Sequence, residues 1–162
     1  MAGPRIVVLG GSGFVGRALV ARLAADGASV SVPTRSRERS RSLILLPTVE
    51  VVEADIHDPA TLAGVVRGAD AVVNLVGILN EAGRDTFARV HVDLARNVVD
   101  ACGKAGVTRL AHMSALNADP AGPSSYLASK GEAEAIVAAS GLAWTIFRPS
   151  VIFGEGDSFL SL

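Results

Sequence analysis

Cysteine is nearly missing from this chain of 162 residues: Cys102 stands alone, so neither a disulfide framework nor a cysteine-built structural zinc site can be assembled. A single thiol points to a reducing compartment, and the cytoplasm is the expected location. Excess charge of one sign is missing too, with 15 Lys and Arg against 16 Asp and Glu. That balance offers no global field to nucleic acid or anionic lipid. Long apolar runs are also lacking. The longest charge-free stretch, 135–147, is interrupted by Ser140 and Gly141, whereas a membrane-spanning helix needs about 20 apolar residues. The start, RIVVLGGSGFVG, is broken by Gly10, Gly11 and Gly13 and followed by Arg17, which argues against a secretory signal. His57 and His112 have no partners at ligand spacing, so no metal site is expected. What is present is 49% hydrophobic residue, too much for disorder and of a length suited to one domain.

Six short apolar runs alternate with longer segments of helical period: Arg5 to Leu9, Ala28 to Val32, Val49 to Glu53, Ala71 to Asn74, Arg109 to Met113 and Ala143 to Phe147. The pattern predicts strands buried on both faces and covered by helices. Val15, Leu19 and Leu23 mark one helical stripe, and Phe87, Val90, Leu94, Val98 and Ala101 another. Gly27 and Gly106 stand where helices hand over to strands, and Asp58-Pro59 marks a helix start. Two irregular segments, Gly77 to Arg84 and Ser114 to Pro123, follow the fourth and fifth strands, at the sheet edge where ligands bind in open α/β folds.

Directly after the first strand comes Gly10-Gly11-Ser12-Gly13-Phe14-Val15-Gly16, opening a helix. Gly10 permits the tight turn, Gly13 lets the backbone approach a pyrophosphate, and Gly16 lets the helix pack closely. The helix start supplies free N–H groups and partial positive charge. About 20 residues past the glycines an NAD enzyme places an acidic residue on the ribose 2′-hydroxyl; this chain has Thr34-Arg35-Ser36. A guanidinium pairs with a 2′-phosphate, so Arg35 is expected to favour NADP(H) over NAD(H). Arg37, Arg39 and Arg41 alternate and do not share one helix face, so they are assigned to solvent.

The GxxGxxG spacing, Asp55-Ile56, Asn74-Leu75-Val76-Gly77, Ser114, Tyr126-Leu127-Ala128-Ser129-Lys130 and Arg148-Pro149 together resemble the extended and atypical short-chain dehydrogenase/reductases. The NLVGIL and YLASKGEAEA stretches look most like the branch holding the NADPH-binding accessory subunit of respiratory complex I and its bacterial relatives. The resemblance implies a doubly wound Rossmann sheet in order 3-2-1-4-5-6 with helices on both faces. It puts Gly10, Gly13, Phe14, Val15, Gly16, Asp55, Ile56, Asn74, Val76, Gly77 and Pro149 around the cofactor. It also makes Ser114, Tyr126 and Lys130 the catalytic set, with Lys130 holding the nicotinamide ribose.

The residues support that chemistry independently. Tyr126 and Lys130 lie four apart in a helix-forming segment and share a face. A cation close to a phenol favours its ionised form, so Lys130 is expected to draw Tyr126 toward useful acid/base range, while Ser114 polarises a carbonyl. Where the family often carries an Asn in a VNV-like stretch, this chain has Val90-His91-Val92; His91 either takes over the proton relay or serves only as an interface histidine. Cys102 is assigned to packing.

Two functions remain open. One is hydride transfer between a nicotinamide and a carbonyl or alcohol carbon of an unknown small substrate. The other is a non-catalytic module that holds the dinucleotide and stabilises a larger assembly. The family's substrate-binding region follows the sixth strand, and residues 1–162 are expected to comprise the dinucleotide-binding domain without it. Lacking a seventh strand, the apolar run AWTIF is expected to form an open edge, and a dimer pairing it would bury Phe153 and Phe159.

Overall fold

The structure, a computed structural model, describes residues 3–157. The six apolar runs form one parallel sheet: β1 (Arg5–Leu9), β2 (Ser29–Thr34), β3 (Val49–Glu53), β4 (Ala71–Asn74), β5 (Arg109–Met113) and β6 (Ala143–Phe147). Their order is β3-β2-β1-β4-β5-β6, the doubly wound arrangement expected from the sequence. Val7 of β1 lies between Ser31 of β2 and Val72 of β4, so the winding direction reverses at β1. Outside the carboxyl ends of β1 and β4 a crevice must open, because the connections leave toward opposite faces there.

Successive strand residues point to opposite faces, and both faces of the central strands are filled, whereas the edge strands β3 and β6 are only partly covered, against the expectation that every strand is buried on both faces. Val8, Val30 and Val32 pack with Val20 of α1 (Phe14–Ala25) and Leu43 of the short α2 (Arg41–Ile44), which a 3₁₀ turn, Arg37–Ser40, leads into. On the other face, Val7, Leu9, Val72 and Leu110 meet Leu62 of α3 (Pro59–Val66), Leu94, Val98 and Cys102 of α4 (Leu94–Ala105) and Val137 of α5 (Ser125–Ala138). Cys102 is fully buried, as its assignment to packing requires. Helix boundaries follow the local chemistry. The Asp58 carboxylate accepts from the Thr61 N–H at 2.8 Å with Pro59 in the first turn, and the Ser124 hydroxyl accepts from the Leu127 N–H at 3.1 Å. Gly27 (φ 88°) and Gly106 (φ 71°) take left-handed backbone after α1 and α4.

Three local expectations change. β2 runs to Thr34, through Pro33, because its pairing with β1 stops at Ser31 while pairing with β3 continues to Thr34. The missing Pro33 N–H falls on the side β1 has left, so no ladder bond is lost. In α1 the inward face is Gly16 and Val20, and Leu19 and Leu23 only flank the core. The helix expected over Phe87 to Ala101 is not uniform: Ala88–Asp93 is a π-helical segment that then continues as α4. The wider turn buries Val90, His91 and Val92 consecutively, which regular α spacing would not bring onto one face.

β6 is an edge. Past its end, the Ser114 N–H donates to the Phe147 carbonyl at 2.7 Å and Leu116 N–H to that of Pro149 at 2.9 Å, so the chain continues alongside the β5 extension. Among the described residues nothing pairs with its other side, and Trp144, Phe147 and Phe153 are exposed. Phe159 lies outside the described residues.

Candidate dinucleotide and acid–base site

The glycine turn closes through Gly11 N–H to Val8 O at 3.2 Å and Gly13 N–H to Gly10 O at 3.0 Å, with Gly10 at φ 77°. A Cβ on Gly16 would sit 2.2 Å from Gly10 O and 2.6 Å from Gly11 Cα, so α1 rests directly against the turn. α1 starts at Phe14 with no side-chain cap and no acidic residue in its first turn. Its leading N–H groups are therefore not taken by the protein's own side chains, and the cradle fits a pyrophosphate.

Beside this turn lies a cleft of about 220 Å³ whose lining includes Gly10, Arg35, Ile56, Val76 and Gly77, all named from the sequence. Other expected residues sit elsewhere. Gly13, Phe14 and Val15 belong to the helix start, outside the cleft lining. Asp55 accepts from the His57 N–H at 2.9 Å and shapes the turn after β3. Asn74 is buried; its Oδ1 accepts from the Val76 N–H at 3.2 Å and its Nδ2 faces His112 Nδ1 at 3.4 Å, which fixes the chain leaving β4. Pro149 extends the β6 side of the sheet. Arg37, Arg39 and Arg41 are all exposed, and Arg39 also borders the cleft.

At the other end of the crevice, Lys130 is 4% exposed and its Nζ donates to the Met113 carbonyl at 2.8 Å. A Cβ placed on Gly77, which lines the cleft, would lie 3.5 Å from His91 Nε2 and 3.7 Å from Lys130 Nζ, so both groups sit behind that glycine, while neither they nor Tyr126 line the cleft itself. Burial, partly offset by Glu134, pulls the Lys130 ammonium down to about 8. Tyr126 packs edge-on against Phe87 and His91, with ring centroids 5.9 and 5.6 Å away. Burial pushes its phenol above the ordinary value, the reverse of the lowering expected from Lys130. The ammonium is engaged by Met113 O, and the phenol is half-buried among rings, so desolvation decides.

His91 is a fixed linker. Its Nε2 accepts from the Ile78 N–H at 3.1 Å, so the ring proton must be on Nδ1, which donates to Ser129 Oγ at 2.8 Å; that hydroxyl donates in turn to Tyr126 O, also at 2.8 Å. Burial, with Lys130 adding to it, holds His91 down to about 4, so the ring is neutral. One buried imidazole thus joins the loop after β4, the π-helical segment and α5. Ser114 is 3% exposed at the end of β5, beside the Glu134 carboxylate, without the geometry of a hydrogen bond. It does not line the dinucleotide cleft.

Three further participants were not singled out in the sequence. Asp85, from the loop after β4, lines the cleft and meets Arg35 at 3.4 Å and Arg89 at 2.9 Å. Glu134 receives Arg148 through two bonds of 2.8 and 2.5 Å; burial opposes its charge, but Arg148 holds its carboxyl below the usual range. Gly131 lets the 119–120 backbone approach α5, since a Cβ there would fall 2.3 Å from Asp119 C. The i+4 spacing of Lys130 and Glu134 was a usable signal; nothing local marked Asp85.

Comparison with known proteins fits this geometry. Residues 10–158 match the family described as NAD(P)H-binding. The chain is 32% identical over 163 residues to the mitochondrial NADH-ubiquinone oxidoreductase 40 kDa subunit of Neurospora crassa, covering 99% of this chain and 44% of that one. It is 34% identical over 153 residues to the ceramide reductase of Caulobacter vibrioides, covering 94% of this chain and 48% of that one. It thus spans about half the length of these curated relatives. A putative NAD-dependent epimerase/dehydratase from Bacillus halodurans superposes with a TM-score of 0.83 at 26% identity, over 96% of this chain and 74% of that one.

Two expectations fall here. UDP-glucuronic acid 4-epimerase from Bacillus cereus, similar in fold at a TM-score of 0.79 and 20% identity over 93% of this chain and 58% of its own, holds NAD. With Arg35 already paired to Asp85, the expected preference for NADP(H) has no support. The cytoplasmic expectation also fails, since the Neurospora relative is mitochondrial and one cysteine does not separate two reducing compartments. No helix among the described residues is long and apolar enough to cross a membrane. The glycine cradle, the crevice at β1 and the match over 10–158 lead to one conclusion: this chain belongs to the NAD(P)H-binding family, as an extended Rossmann domain related both to epimerase/dehydratase enzymes and to the complex I subunit branch.

Proposed function

We propose that this domain binds a nicotinamide dinucleotide across the β1/β4 crevice and serves oxidoreductase or epimerase chemistry, with Tyr126 as the acid/base group and Lys130 as its companion. The observation that carries this reading is that Lys130 Nζ and His91 Nε2 both lie against Gly77, a residue lining the crevice that begins at the glycine turn. When bound, the nicotinamide supplies the carbon that gives or takes a hydride. Lys130, largely protonated near pH 7, donates to an acceptor on the crevice floor, and the ribose hydroxyls suit it. The raised phenol of Tyr126 stays protonated and can hand a proton to a carbonyl oxygen being reduced. Ser114 fits a carbonyl-polarising role less well, because its hydroxyl is buried beside Glu134.

We further propose that residues 1–162 form the dinucleotide-binding domain and that substrate choice lies with residues outside it. The test has two arms. Calorimetric titration should detect NAD⁺ or NADH binding, and no binding by about 1 mM would overturn the reading. Tyr126→Phe should then lower any turnover by roughly 10²–10⁴ with binding retained. A second reading, a dinucleotide-holding module without chemistry of its own, is favoured by the buried Ser114 and by the Neurospora relative. Undiminished turnover in Tyr126→Phe would exclude Tyr126 as the acid/base group, whereas binding without turnover on any carbonyl or alcohol substrate would favour the module.

A further inference from the structure

The end of β2 is where a dinucleotide's adenosine ribose is read, usually by an acidic residue. Here that strand ends in Thr34-Arg35-Ser36 and carries no carboxylate. A carboxylate is nevertheless present, delivered from another element. The loop after β4 folds into a two-residue turn in which Ala82 N–H donates to Asp85 O at 3.1 Å and Asp85 N–H to Ala82 O at 3.0 Å, around Gly83 at φ 58°. The turn is pinned from behind: Glu81 accepts from the Phe87 N–H at 2.8 Å, and Thr86 Oγ1 from the Arg89 N–H at 3.1 Å. Asp85 is therefore held out by fixed backbone. Its Oδ1 accepts from Arg89 Nη1 at 2.9 Å and its Oδ2 from Arg35 Nη1 at 3.4 Å, and both Asp85 and Arg35 line the cleft.

We propose that Asp85 determines which dinucleotide this domain accepts, by supplying from the β4 loop the carboxylate that β2 lacks. Its oxygens take hydrogen bonds from the ribose hydroxyls. Its charge occupies the guanidinium of Arg35 and repels a phosphate on the 2′-oxygen. Arg89 is a positioning residue in this arrangement, anchoring the carboxylate from the π-helical segment. With Arg35 paired to Asp85, an arginine at the end of β2 would not by itself select a 2′-phosphate.

This inference rests on the dinucleotide-binding reading above, and its test separates the two. NAD⁺ and NADP⁺ are titrated calorimetrically into the wild-type chain, Asp85→Asn and Asp85→Glu, with circular dichroism checking the fold. Asp85→Asn keeps the side chain's shape and removes the charge, so the ratio of NAD⁺ to NADP⁺ affinity should fall at least about fivefold, the worth of roughly one charged contact at a part-exposed site. Asp85→Glu should stay within about twofold of the wild-type ratio. An unchanged ratio in Asp85→Asn, or equal loss of both affinities, would overturn the assignment while leaving dinucleotide binding intact. Binding of neither nucleotide by the wild type would overturn both.

Discussion

Acidification offers a sharp test of how the site is held together. His91 and His112 are 2% and 3% exposed, and burial holds each imidazole down to about 4, with Lys130 adding to the effect at both. In the unfolded chain the same rings titrate near ~6.5. Between these values the unfolded state binds more protons than the folded state, so stability must fall as pH drops from about 6.5 toward 4 and level off below. At pH 5 one such histidine costs about 2 kcal/mol relative to pH 7, and the two together about 4, a large share of a typical domain's total stability. Urea denaturation of wild type at pH 7 and pH 5 measures the sum. His91→Asn will be less stable at pH 7, because the Ile78 and Ser129 contacts change, but its loss on going to pH 5 should be about 2 kcal/mol smaller than that of wild type. Parallel curves for wild type and variant would show that His91 takes up a proton without unfolding, and the fixed-linker assignment would fail.

Gly16→Ala forces a methyl group to within 2.2 Å of Gly10 O, so the turn or α1 must move; a stability loss of roughly 1–3 kcal/mol and weakened dinucleotide binding are expected, read by denaturation and calorimetry. Unaltered binding would show that the cradle tolerates displacement. Cys102, fully buried with its thiol pushed up to about 11, should resist iodoacetamide at pH 8 in the native protein and react in urea. The exposed edge of β6 should drive self-association of the 162-residue chain, reduced by Trp144→Lys; a monodisperse monomer in sedimentation at roughly tens of micromolar would refute this.

The strands were legible because runs such as RIVVL and AVVN carry their own signal, an apolar β-branched segment too short for a helix, whereas their order came from the resemblance to short-chain dehydrogenase/reductases. The glycine turn was legible for the same reason, since Gly10 and Gly16 answer to local geometry. What depended on distant partners was not. Pro33 reads as a strand breaker until one knows that β1 has stopped pairing by then. Gly131 reads as a helix penalty until the 119–120 backbone is placed against it. His91 allowed two readings because a tautomer is set by the Ile78 N–H thirteen residues away. Tyr126 and Lys130 were found by spacing, but spacing says nothing of the Met113 carbonyl that engages the ammonium. Asp85 was invisible because its value comes from reaching Arg35, fifty positions earlier.

The two faces of the sheet are unequal, and that has a kinetic consequence. The face under α3, α4 and α5 holds the larger apolar cluster and carries Tyr126 and Lys130, whereas the face under α1 and α2 holds a smaller one and carries the glycine turn. Thermal opening should begin on the thinner side, exchanging the amides of α1 and α2 for deuterium well before those of β4 and β5. A dinucleotide seated on the glycine turn would close that weak flank by mass action. Its cellular concentration would then set how long the chain survives proteolysis, whether or not any substrate is ever turned over.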